Sequence, residues 1–117
     1  MSIDPVTAAV VAVAGFLIVR RLLKGGQVSK EVVMEKIKAG AQIVDVRSPE
    51  EFRGGAYPDA VNIPLNDLER RLGELEKDRA VVLYCASGGR SGLATQLLKR
   101  AGFAEVVNAG GLMDLLR

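Results

Sequence analysis

The chain's only cysteine, Cys85, stands between two contrasting patterns. Before it runs Val81-Val82-Leu83-Tyr84, four apolar residues without a break, which read as a buried strand. After it, Leu93, Ala94, Leu97, Leu98 and Ala101 recur at the spacing of one helix face. The segment Cys85-Ala86-Ser87-Gly88-Gly89-Arg90-Ser91 is therefore expected to be a tight strand-to-helix loop. In an open parallel sheet, ligands bind just beyond the carboxyl ends of the strands, where the next helix presents free N–H groups and the positive end of its dipole. A thiol at that place, with amides converging from the small residues Ala86, Ser87, Gly88 and Gly89 and a cation at Arg90, should ionise below its ordinary value of about 8.5. The expected chemistry is a nucleophilic thiolate that handles a small anion, with Ser91 as the helix cap. A lone cysteine after a buried strand is also commonly an inert core residue, and position alone does not separate the two.

The elements that must position this loop are legible on either side of it. Ser29 is placed as a helix N-cap, Val32, Val33, Ile37 and Met34 supply an apolar face, and Gly40 the stop. Ile43-Val44-Asp45-Val46 reads as a second buried strand. Ser48-Pro49-Glu50-Glu51 has the form of a capping box with proline at the first helical position, so a short helix through Phe52 should end at Gly54-Gly55. Ala60 to Ile63 gives a brief strand stopped by Pro64, and Asn66 is placed as the cap of a helix carrying Leu68, Leu72 and Leu75. The charged run Glu74 to Arg79 reads as a solvated turn. The helix after the cysteine should end at Gly102, with a last strand over Phe103 to Val107 and an amphipathic turn over Leu112 to Leu116. Strands alternating with helices mean crossover connections and an α/β fold with a parallel sheet covered on both faces.

The N-terminal stretch differs from this body. From Pro5 to Val19 it is apolar and uncharged, and Arg20-Arg21-Leu22-Leu23-Lys24 follows. At about 1.5 Å per residue this run spans roughly 22 Å, or roughly 27 Å with Leu22 and Leu23 included and both arginines snorkelling, against a hydrocarbon core of about 30 Å. Cations after the run, and not before it, favour a single-pass membrane anchor over residues 5–23 with the remaining domain cytoplasmic. A cleaved signal, suggested by Ala12 and Ala14, and a helix buried against a partner are the alternatives. The small residues Ala8, Ala12 and Gly15 would permit a homo-oligomer through the anchor. The division is thus an apolar helix over residues 1–24, a Gly25-Gly26-Gln27 joint and one domain over residues 28–117.

Composition excludes more than it suggests. The 117 residues suit one domain able to bury roughly 60 to 70 % of its unfolded surface. A formal net charge of +2 and 4% aromatics give no case for a nucleic-acid partner. One cysteine rules out an internal disulfide and a CxxC pair, and zero histidines rule out a Cys-His or Ser-His protease and most metal clusters. Activation of Cys85 must therefore come from backbone dipoles and arginine, and no metal or cofactor is called for.

Four stretches together resemble a single-domain rhodanese, a sulfurtransferase module. They are Ile43 to Phe52, Ala60-Val61-Asn62-Ile63-Pro64-Leu65, the Cys85 to Ser91 loop, and Ala109-Gly110-Gly111, in the family's order and across nearly all of the chain after Gly26. The resemblance implies that Cys85 takes a sulfane sulfur from a donor such as thiosulfate, holds it as a persulfide, and passes it to a thiol or cyanide acceptor. It implies that Ala86, Ser87, Gly88, Gly89, Arg90 and Ser91 bind the donor, and that Asp45 and Arg47 brace the loop. A plain ion pair or helix cap is an equal reading of those two, Arg53 reads better as a surface cation than as a ligand, and Gly110-Gly111 is either a site border or only a turn. With no second cysteine, the sulfur must leave to an outside acceptor. Phosphatases of the same general fold place five residues between cysteine and arginine, whereas four lie between Cys85 and Arg90, a ring sized for one sulfur atom. The chain departs from the family at Ala56-Tyr57-Pro58-Asp59, where Gly-His-Ile-Pro-Gly-Ala usually stands with its Gly at Gly55, and in lacking an aromatic after the final Gly-Gly. The alternatives are a non-catalytic recruitment module at the membrane and a small-anion phosphatase or arsenate reductase.

Overall fold

A computed structural model describes residues 4–6 and 27–117. The apolar run from residue 7 onward and Gly25-Gly26 lie outside the described residues, so the expected anchor helix does too. Among the described residues no helix is long and apolar enough to cross a membrane.

Among residues 27–117, four parallel strands, β1 (Gln42–Asp45), β2 (Val61–Asn62), β3 (Val81–Cys85) and β4 (Val106–Gly111), stand in the order β2-β1-β3-β4. The helices are α1 (Lys30–Lys38), α2 (Pro49–Arg53), α3 (Leu65–Leu68), α4 (Gly89–Arg100) and α5 (Leu112–Leu116), with a 3₁₀ helix over Glu69–Glu74. Because side chains alternate across a strand, Val81, Leu83 and Cys85 enter one core with Ala94, Leu98 and Leu68, while Val82 and Tyr84 enter the other with Val33 and Leu115. Both faces of the sheet are thus covered, and all five residues of β3 are buried. That explains why its apolar run is unbroken. Each such side chain contributes about 1.5–3 kcal/mol on leaving water.

Local signals account for most boundaries. Ser29 accepts the Val32 N–H at 3.4 Å as the cap of α1, and Gly40 leaves that helix with φ 96°. The Ser48 box closes in both directions, 3.2 Å from Glu51 N–H to Ser48 Oγ and 3.1 Å from Ser48 N–H to Glu51 Oε1, with Pro49 in the first turn. Three expectations need correction. Asn66 does not cap α3, which starts at Leu65 after Pro64 with no side-chain cap, and the Leu72 segment tightens into 3₁₀ geometry interrupted by a kink at Arg71. The last strand is not Phe103 to Val107 but Val106–Gly111: Phe103 packs into the core from the turn after α4. Gly110-Gly111 is therefore the end of β4 and not a turn, and any Cβ on Gly111 would collide with the Ala86 carbonyl oxygen where the ladder shifts register between Leu83 and Cys85. The outer edge of β4 is covered in part by the chain entering α1, whose Val28 N–H donates to the Asn108 carbonyl at 3.1 Å.

Candidate active site

Cys85 is the last residue of β3, one position earlier in structure than the loop expectation put it, and it is fully buried at 0% exposure. Ala86, Ser87 and Gly89 lie exposed above it, and Gly88 is buried. The turn works because Gly88 takes φ 104°, a left-handed conformation that lets its N–H point back at the sulfur. The Gly88 N–H to Cys85 Sγ distance is 2.9 Å. Burial pushes the Cys85 thiol up, but the Ser91 hydroxyl and amide and the amides of Ser87 and Gly88 outweigh it, so the group titrates below its ordinary value. The main-chain groups of the loop are thus turned toward the sulfur at the start of the 12-residue α4.

Ser91 is not the helix cap. Gly88 holds that position with no side-chain cap, and Ser91 lies inside the first turn, buried, with its Oγ 3.4 Å from Cys85 Sγ. The same oxygen is 2.7 Å from Asn108 Oδ1 and 3.2 Å from the Gly88 carbonyl. Asn108, on β4 and fully buried, was outside every motif in the sequence. Its Nδ2 donates to Gly88 O at 3.3 Å and its Oδ1 accepts Gly110 N–H at 2.9 Å. An asparagine inside an otherwise apolar strand end was the one signal that could have marked it.

Arg90 is half-buried and held by Glu51, with Nη1 to Oε1 at 2.6 Å and Nη2 to Oε2 at 3.0 Å. Arg90 first of all, and the Ser48 cap after it, hold the Glu51 carboxyl down to about 2. The capping-box glutamate therefore has a second task that the sequence reading did not assign: it fixes the guanidinium beside the loop. A cleft of about 430 Å³ lined by Ser48, Pro49, Pro64, Leu65 and Arg90 opens on that side.

Asp45 and Arg47 form a buried ion pair at the neighbouring strand end. Arg47 donates Nε and Nη2 to Asp45 Oδ2 at 3.0 and 2.7 Å, and Nη2 also reaches the Gly55 carbonyl at 2.7 Å. Its guanidinium lies 5.7 Å from the centre of the Tyr84 ring, whose hydroxyl burial pushes up to about 12. The pair holds the β1 exit and the Gly55 turn, and its hydrogen bonds do not go to residues 86–91. Arg53 is exposed and paired with Glu50 at 3.5 Å. Asp59, where the resemblance expects glycine, carries φ 66°. Among the described residues no cluster of three or more acidic, Cys or His side chains could hold a metal.

Comparison with known proteins places these features. The model of the rhodanese-like domain matches residues 29–115. The uncharacterized protein YqhL of Bacillus subtilis is 42% identical over 88 residues, 73% of this chain and 70% of that protein. The thiosulfate sulfurtransferase PspE of Escherichia coli is 38% identical over 74 residues, 62% of this chain and 71% of that protein. Among solved structures, the human single-domain sulfurtransferase is 30% identical with a TM-score of 0.70, over 77% of this chain and 94% of that one.

Proposed function

Because the chain belongs to the rhodanese-like domain family, we propose that it is a sulfurtransferase that moves sulfane sulfur from an anionic donor such as thiosulfate, through a persulfide on Cys85, to a thiol or cyanide. The Cys85 thiolate attacks the outer sulfur of thiosulfate, the sulfur–sulfur bond of the donor breaks, and sulfite leaves with the bonding pair. Cyanide or a thiolate then attacks the terminal sulfur and returns Cys85 to the thiolate. Every species on this path is an anion, and amide donors aimed at the sulfur position stabilise it without a base or a metal. The observation that carries the reading is the Gly88 N–H at 2.9 Å from Cys85 Sγ. Cys85 is fully buried, so loading requires the sulfur to become accessible to the donor.

Incubation with thiosulfate should add the mass of one sulfur atom to the intact protein and none to Cys85→Ser. An unmodified wild type would overturn the proposal. The complete burial of Cys85 favours a second reading, a recruitment module without catalysis; a thiol that resists alkylation at neutral pH would support it. Residues 5–23, on the hydropathy and charge order of the sequence, tether the domain to a membrane with the site on the cytoplasmic side and are available for pairing between copies. Recovery of the full chain in the soluble fraction after a carbonate wash would remove the tether.

A further inference from the structure

We propose that Asn108 is a positioning residue that decides where the single proton of the Ser91 hydroxyl points, and so controls the ease with which Cys85 becomes a thiolate. This rests on Cys85 being the reactive thiol of the proposed function.

Ser91 Oγ has one proton and several acceptors. Asn108 Oδ1 is nearest at 2.7 Å, followed by Gly88 O at 3.2 Å and by Cys85 Sγ and Gly110 O at 3.4 Å. The orientation of the Asn108 amide is not free: Gly110 N–H donates to its Oδ1 at 2.9 Å and its Nδ2 donates to Gly88 O at 3.3 Å. Reversing the amide would set two donors against each other at Gly110. An acceptor therefore always faces Ser91. While Cys85 is a thiol, its S–H donates to Ser91 Oγ and the Ser91 hydroxyl donates to Asn108. When the thiol proton leaves to solvent, the hydroxyl rotates and donates to the sulfur anion beside the Gly88 N–H. Asn108 Oδ1 keeps the Gly110 N–H in both states, so giving up the Ser91 proton leaves no buried acceptor bare. Asn108 thus stabilises the thiol and opposes ionisation, and its bond to Gly88 O is made to the carbonyl of the residue whose N–H serves the anion, not to that N–H's own peptide.

The charged groups around this network are Arg90 on α4 with its partner Glu51 on α2, the Asp45–Arg47 pair at the end of β1, and Asp114 on α5, which accepts the Gly111 N–H at 2.9 Å. None is changed by the variants that follow, so a shift among them reports the hydroxyl.

The test follows the ultraviolet absorbance of the thiolate against pH, with Cys85→Ser as the blank. It needs no access to the buried sulfur and no sulfur loading, so a thiol that titrates as stated but never takes sulfur would sink the proposed function and leave this inference standing. Asn108→Leu, of similar volume and unable to accept, should lower the apparent pKa of Cys85 by about one, roughly a tenfold gain in thiolate. Ser91→Ala should raise it by about one, since the anion loses a donor. The double variant should equal Ser91→Ala alone. An unchanged or raised pKa in Asn108→Leu, or a shift that persists without the Ser91 hydroxyl, overturns the proposal. Should Asn108→Leu fail to fold, the wild type still decides: the Asn108 side-chain amide resonances must titrate with the thiolate and stop doing so in Ser91→Ala, and stationary resonances in the wild type overturn it.

Discussion

The carboxyl ends of β1 and β3 are neighbours in register, and each turns into a helix after three intervening residues, yet they finish those helices in opposite ways. At β1, Ser48 and Glu51 consume the free amides of α2 with their own side chains, and Asp45 and Arg47 neutralise each other. At β3, Gly88 caps α4 with no side chain, and the amides left over point at a sulfur atom. A helix start closed by its own sequence has nothing to offer an anion, and one closed by a glycine does. The first end therefore contributes stability and the second contributes chemistry.

The largest effect should come from breaking the closed end. Arg47→Leu strands the Asp45 carboxylate in the interior and should cost about 3–5 kcal/mol, read as a fall in the urea midpoint. Next is the open end: Gly88→Ala strains a φ of 104° and turns a donor away, so the rate of sulfur loading from thiosulfate should drop about 100-fold while the fold survives. Equal damage to loading from both substitutions, once corrected for the fraction folded, would erase the contrast. Ser48→Ala should cost about 1 kcal/mol in urea unfolding and leave the Cys85 titration where it was. Smallest is a pH effect at the bridge between the two ends. The Glu51 carboxyl is held below its ordinary value in the folded chain, so its pair with Arg90 stabilises fully above about 4.3 and is lost as pH falls toward about 2. In Glu51→Gln that part of the acid slope of the urea midpoint should disappear.

What the sequence made legible was local. The Ser48 box, the Ser29 cap and the buried runs of β1 and β3 each depend on residues within four positions of one another; the box and the cap appear as read, and the two strands are displaced by a residue, β1 to Gln42–Asp45 and the end of β3 to Cys85. The α/β architecture with a parallel sheet follows from their alternation. What stayed hidden depends on contacts across the sheet. Ser91 has the right chemistry for a cap, but the left-handed cap residue is Gly88 and the serine turns inward to Asn108 on β4. Asn108 meets the loop only through pairing of β3 with β4, and Glu51 meets Arg90 across 39 positions. Phe103 looked like strand because large apolar residues favour strands, whereas it is spent on filling the core under α4.

The alternation of side chains along β3 carries one further consequence. Tyr84 and Cys85 occupy opposite faces of one sheet, so losing or gaining a single residue ahead of them would exchange their destinies: a phenol would enter the amide cradle and the thiol would vanish under α1 and α5. Changes of strand length by two would spare the assignment. The identity of the nucleophile is in this sense a matter of counting along β3.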